Sequence, residues 1–185
     1  MKTMTTFPAA MQEFRDQNGT TLWDLTHARP RLLVFLRHSG CAFCREALSE
    51  LRSRRTEIET LGAGLAFVHM MNDADAAPFF NDYGLGDVPR FSDPDRALYG
   101  AFRLKRGSLA QLLGPKVWIR GMQASFFKGH GIGRPIGDPF QMPGAFLIAG
   151  DTVVKAYRHA TAADQPDYVQ MAAGCSISPP KRNAA

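Results

Sequence analysis

The chain has 185 residues, 45% of them apolar and 21% charged, with a formal net charge of +5. That size and composition suit one globular domain able to bury a core, and the longest strongly apolar run, Leu32 to Leu36, is far too short to cross a membrane. Lys and Arg read as scattered among Asp and Glu apart from short clusters such as Arg52, Arg54 and Arg55, and no nucleic-acid-binding motif is present, so neither nucleic acid nor membrane is an expected partner.

Met1 to Phe14 lacks the apolar middle of a secretory signal, which makes a cytoplasmic location the expectation. Ala9 to Asp16, after Pro8, has weak helical character, and Asn18-Gly19 forms a turn into Thr21 to Leu25. Residues 1–30 are expected to be a leader packed on a single domain that runs to Cys175, with a loose tail over 176–185. Arg31 to Arg37 (RLLVFLR), bounded by Pro30 and Ser39-Gly40, reads as a strand buried on both faces. From Cys44 to Leu61, apolar groups at Cys44, Leu48, Leu51, Ile58 and Leu61 predict a long amphipathic helix that stops at Gly62.

Gly64 to Met70 predicts a second buried strand, and Asp73 to Tyr83 a helix with acids at its start and Gly84 at its end. Val88 to Phe91 reads as a short strand, Ser92 to Asp95 as a turn, and Arg96 to Phe102 as a short helix. Ser108 to Leu113 and Pro115 to Phe126 are further helical candidates, followed by a Gly- and Pro-rich loop, Lys128 to Met142. Gly144 to Ala149 and Thr152 to His159, joined by Gly150-Asp151, predict a hairpin with a type II′ turn, and Asp164 to Ala173 a last helix with Pro166 in its first turn.

Three cysteines cannot form a disulfide framework, but Cys41 and Cys44 stand three apart where a buried strand passes into a helix. Cys41 at that helix N-terminus would have its thiolate favoured by unpaired N–H groups and by the macrodipole. Arg37, His38 and Arg45 add nearby positive charge. Cys41 is therefore the predicted nucleophile, and Cys44, one turn along, can reach it to resolve a mixed disulfide or sulfenic acid. Two ordinary core cysteines are one rival reading; a zinc site recruiting from His38, His69, His130 or Cys175 is another, though no second paired motif supports a metal. Arg45 stands where haem attachment needs His.

The strand, C-x-x-C and helix, followed by strand, helix and a late hairpin introduced by Met142-Pro143-Gly144, resemble the thioredoxin fold. VFLRHSGCAFCREALSEL, FSDPDRALYGAF and QMPGAFLIAGDTVVKAYRHATAADQPDY resemble the peroxiredoxin-like branch of the AhpC/TSA family, the selenoprotein-L-related group. The resemblance implies an α/β thioredoxin-like fold with a central mixed β-sheet, helices on both faces, and an insertion of helices and loop before the final hairpin. It implies a thiol-disulfide oxidoreductase in which Cys41 and Cys44 are the active pair and Pro143 is a cis-proline facing them. Met142 and Pro143 would then shape the substrate groove, with the Met142 backbone pairing with an extended substrate segment. No bound cofactor or metal is implied, only a disulfide or peroxide substrate and an external thiol reductant such as a thioredoxin or glutathione system. Val34 and His38 stand where typical peroxiredoxins carry Pro and then Thr or Ser. A redox sensor or partner-binding module using the same pair is the alternative, and oligomeric state stays open.

Other residues attract blander readings. Gly129 to Arg134 reads as a surface loop, since it lacks the strand-then-helix context of a dinucleotide fingerprint, with a lid whose Lys128, His130 and Arg134 meet an anion as its alternative. Cys175 reads as a bystander, His69 as a core residue with satisfied ring nitrogens, Arg90 as an exposed ion-pair partner, and Trp23 and Trp118 as packing groups.

Overall fold

The computed structural model describes residues 7–108 and 136–173. In chain order the elements are α1 (Phe7–Glu13), α2 (Leu22–Ala28), β1 (Arg31–Phe35), α3 (Ala42–Thr60), β2 (Gly64–His69), α4 (Asp73–Asp82), β3 (Arg90–Ser92), α5 (Ala97–Ala101), β4 (Gly144–Ala149), β5 (Thr152–Arg158) and α6 (Tyr168–Ala172). Among the described residues no helix is long and apolar enough to cross a membrane.

The strands form one mixed sheet in the order β3-β2-β1-β4-β5. β1, β2 and β3 run parallel, β4 pairs antiparallel with β1, and β5 antiparallel with β4. Because alternate strand residues point to opposite faces, the central strands feed two cores. Leu32, Val34, Leu65, Phe67, Ala145 and Leu147 face one side, where α3, α4 and α6 cover them. Leu33, Phe35, Ala66, Val68, Phe146 and Ile148 face the other, where they meet Met11, Leu22, Leu25 and the aromatic group Tyr99 and Phe102. Strands buried on both faces must read as unbroken apolar runs, which is why β1, β2 and β4 are plain in the sequence. Each fully buried Phe contributes roughly 1.5–3 kcal/mol of apolar burial.

Local chemistry sets the ends. Asn72 caps α4 by accepting from Asp75 N at 2.8 Å, and the hairpin turns at Gly150, whose φ of 58° suits a two-residue connection. Several predicted boundaries move. β1 ends at Phe35, two residues early, although Leu36 N still reaches Val68 O at 2.9 Å. β3 starts at Arg90 because Val88 N is taken by Leu85 O in a turn. The last helix is only Tyr168–Ala172. Pro166 disfavours helical backbone at Gln165, the Asp164 carboxylate turns back to Ala160 N and Thr161 N at 2.7 and 2.8 Å, and Asp167 caps the shortened helix through Gln170 N. Asp93, read as part of a turn, is a buried cap whose carboxylate accepts from Ala97 N and Leu98 N at 2.8 Å each. The helical candidates over 109–126, the Gly129 to Arg134 loop, Trp118 and Cys175 lie outside the described residues.

Candidate active site

The parallel strands β1 and β2 end together beneath the start of α3, and Tyr99 of α5 fastens them there. Its hydroxyl donates to the carbonyl of Leu36 and, at 3.3 Å, to that of Val68. From Leu36 the chain turns through His38 to Cys41, whose N–H donates to His38 O at 3.1 Å. Cys41 is the N-cap of α3, with extended backbone at φ −77° and ψ 116°, and its sulfur closes no regular capping hydrogen bond.

Both cysteines are free thiols, each 5% exposed. Arg37 addresses both of them: its backbone N–H donates to Cys44 Sγ at 3.3 Å, and its guanidinium Nη1 to Cys41 Sγ at 3.6 Å. Their acidities split in opposite directions. Cys41 is lowered to about 6, first by the hydrogen bond from the Cys44 thiol, against the opposing effect of burial, then by the Arg37 charge and the Cys44 and Phe43 N–H groups. Cys44 is raised, because it donates that hydrogen bond, is buried, and neighbours a thiolate. One proton is thus shared unequally, leaving an anionic outer sulfur over a protonated inner one.

The other expected supports fall elsewhere. Burial first, and then the Arg37 charge, push His38 down to about 4; the ring is neutral at neutral pH and contributes no positive charge to the thiolate. Arg45 turns away, donating to Ser39 O at 3.1 Å and lying over the Phe79 ring at 6.0 Å. It steadies the loop before Cys41 rather than the sulfur.

A strap of residues, Ile136 to Gln141, crosses this loop. Ile136 N donates to Ser39 Oγ at 3.0 Å, and Arg37 Nη2 to the Pro139 carbonyl. Gly137 passes so close that an added Cβ would lie 3.0 Å from Met70 and 3.4 Å from the Arg37 carbonyl, and its φ of 114° suits glycine. Asp138 clasps the strap by pairing with Arg96 and, at 2.9 Å, with Arg106.

Pro143 lies beside Cys44. Together with Phe43, His159, Gln165 and Tyr168 they line a cleft of about 20 Å³, room for about one water. The Met142–Pro143 bond is trans, because no peptide bond among the described residues is cis; trans is the lower-energy form of an X-Pro bond, and nothing packed here demands otherwise. Nor is the Met142 backbone open to a substrate strand. Its N–H donates to Lys105 O at 3.1 Å, and its carbonyl accepts from the Gln141 side chain at 3.2 Å. Met142 and Pro143 therefore act as apolar wall. His159, not singled out by the sequence reading, has its Nδ1 buried without a hydrogen-bond partner, and burial lowers it to about 4.

His69 is 1% exposed in β2, and neither ring nitrogen meets hydrogen-bond geometry, contrary to the expectation of a satisfied core histidine. Arg90 is likewise buried rather than exposed: it donates to Gly86 O at 3.0 Å and lies over Phe80 at 5.8 Å. Among the described residues no three His, Cys, Asp or Glu side chains stand together as a metal set.

A family model described as AhpC/TSA antioxidant enzyme matches residues 50–162, a span that begins within α3, beyond both cysteines. No curated protein matches the chain. The fold is similar to peroxiredoxin Q of Xanthomonas campestris, at 20% identity, 84% coverage of this chain, 87% of that one and a TM-score of 0.56. It is also similar to the peroxidoxin BcpB of Mycobacterium tuberculosis, at 18% identity, 88% coverage of each chain and a TM-score of 0.53. A reduced peroxiredoxin of Vibrio vulnificus in complex with hydrogen peroxide gives 14% identity, 87% and 92% coverage and a TM-score of 0.60. Likeness at these identities concerns the fold, which is the thioredoxin-like α/β arrangement expected from the sequence.

Proposed function

The chain belongs to the AhpC/TSA antioxidant enzyme family and is a thiol-dependent oxidoreductase; on that premise we propose that Cys41 is its nucleophile and Cys44 its resolving thiol. The observation that carries this reading is the split acidity of two adjacent thiols that share Arg37. The sulfur with the lower pKa is the stronger nucleophile at neutral pH because it alone is ionised. Its partner stays protonated until it is needed.

With a peroxide, the Cys41 thiolate attacks one oxygen, the O–O bond breaks, and the departing alkoxide takes a proton as an alcohol. The resulting sulfenic acid is attacked by Cys44 sulfur, water leaves, and a Cys41–Cys44 disulfide forms. With a disulfide substrate, Cys41 forms the mixed disulfide and Cys44 displaces the substrate thiol. Either route removes two electrons from the pair, and two equivalents of an external thiol, or one dithiol, restore them. The three sequence blocks that resemble the selenoprotein-L-related group support placing the chain in that part of the family, and no step calls for a bound cofactor or metal.

The test is peptide mapping of fully reduced protein before and after one equivalent of hydrogen peroxide or of a small disulfide. Loss of two thiols with a Cys41–Cys44 link supports the cycle. Persistence of both thiols under both oxidants sinks it.

A further inference from the structure

Beside the thiol site lies a larger groove, about 240 Å³, that the dithiol cycle leaves unused. Arg103, Lys105, Arg106 and Arg158 line it, and it meets the Cys44 cleft at Pro143 and His159, which wall both. Among the described residues no Asp or Glu lines it. Arg106 is fixed by Asp138, and Arg158 donates to Phe102 O at 3.1 Å, so two of the cations are held in place by other contacts. Arg103 and Lys105 have no ion pair among the described residues.

The sequence explains why counter-charge is missing. Between Arg96 and Gly137 there are eight Lys or Arg and no Asp or Glu, while the rest of the chain holds more acidic than basic side chains. The net charge is therefore not scattered, as a reading of the clusters alone suggests, but comes from this one stretch. Arg106 has Asp138 as its counter-charge, but Arg103, Lys105 and Arg158 converge on the same concave wall and repel one another unless an anion joins them. A groove of this size lies just below the range of about 300–1,000 Å³ typical of small-molecule sites, and it fits a short acidic molecule rather than the face of a protein.

We infer that the groove binds a small carboxylate-bearing thiol and delivers its sulfur to the Cys41–Cys44 pair. Delivery rests on the dithiol cycle proposed above; binding does not. The ligand thiolate attacks one sulfur of the Cys41–Cys44 disulfide, a mixed disulfide forms, and the other cysteine leaves as thiolate. A second ligand thiolate attacks the mixed disulfide. The ligand is released as its symmetrical disulfide, and both cysteines return reduced, two electrons having passed to the protein.

Two measurements separate the parts. Calorimetric titration of the reduced protein with S-methylglutathione, which cannot exchange, reads the groove alone. Binding that weakens with added salt, and by about tenfold or more in the double variant R103Q/K105Q, is the expected result. No binding, or binding indifferent to both changes, overturns the inference. Stopped-flow reduction of the oxidised protein by glutathione and by neutral 2-mercaptoethanol then reads delivery. The glutathione rate should fall in the variant about tenfold further than the 2-mercaptoethanol rate. An equal fall in both overturns delivery. If S-methylglutathione binds but no Cys41–Cys44 disulfide can be formed, the groove stands and the dithiol cycle fails.

Discussion

Arg37 holds Cys41 and Cys44 by different atoms, its guanidinium 3.6 Å from the Cys41 sulfur and its backbone N–H 3.3 Å from the other. The charge can therefore be removed while the backbone contact stays. R37M should raise the Cys41 pKa by about one unit and slow iodoacetamide alkylation at pH 6 about fivefold, whereas R37K should stay near wild type. The wild-type alkylation rate should rise through a midpoint near 6, the value to which the Cys44 hydrogen bond, opposed by burial and aided by Arg37, brings Cys41. A midpoint near the ordinary thiol value would contradict the assigned nucleophile.

The Asp138 clasp holds the strap across the loop that precedes Cys41, and its release is expected to open access to that sulfur. Asp138 is only 14% exposed, pairs with the partly exposed Arg96 and Arg106, and accepts from Phe140 N at 2.9 Å; together these contacts fix the strap whose Pro139 carbonyl meets Arg37. D138A should lower the urea midpoint by the equivalent of about 1–2 kcal/mol and speed alkylation of Cys41 several-fold at saturating pH. Unchanged alkylation would show that the strap does not limit entry.

The three long central strands and the placement of Cys41 at a helix start were legible because each depends on neighbours in sequence: apolar runs, a Gly before the helix, a three-residue spacing. What escaped depends on contacts closed across the fold. Arg37 reaches Pro139 over 102 residues, and His159 enters the site only because β4 and β5 place it behind Pro143. Arg45 and His38 illustrate the reverse error: their position in sequence beside the cysteines does not say where a long side chain turns or whether a ring stays charged. The acid-free stretch from Arg96 to Gly137, by contrast, was readable in the sequence, but local clusters such as Arg52 to Arg55 drew attention from it. In the family-like block FSDPDRALYGAF, the residues with visible work are structural ones, Asp93 capping α5 and Tyr99 fastening the strand ends.

That fastening can be measured. Tyr99 is fully buried, and Y99F removes one hydroxyl, leaving the Leu36 carbonyl without its donor while the Val68 carbonyl keeps the Leu36 N–H. Buried acceptors stripped of a partner cost about 1–3 kcal/mol, to be read as a lower urea midpoint with an unchanged slope. Because Leu36 immediately precedes Arg37, the same variant should also weaken the Arg37–Cys41 alignment and slow alkylation at pH 6. A loss of stability with no change in alkylation would confine Tyr99 to scaffolding.

His69 is one of three buried histidines that make the fold sensitive to acid. Burial first, and the neighbouring Arg90 charge second, bring it down to about 4. In the unfolded chain it binds its proton near 6.5. Unfolding between those values therefore takes up a proton, and stability present above pH 6.5 is lost as pH falls toward 4, by up to roughly 3 kcal/mol from this group. H69L removes a side chain whose ring nitrogens have no hydrogen-bond partner, so it should cost little at pH 7. It should also flatten the decline in urea midpoint between pH 6.5 and 4.5. His38 and His159 are lowered in the same direction, so some slope will remain. A variant as acid-sensitive as wild type would show that His69 is already protonated in the folded protein.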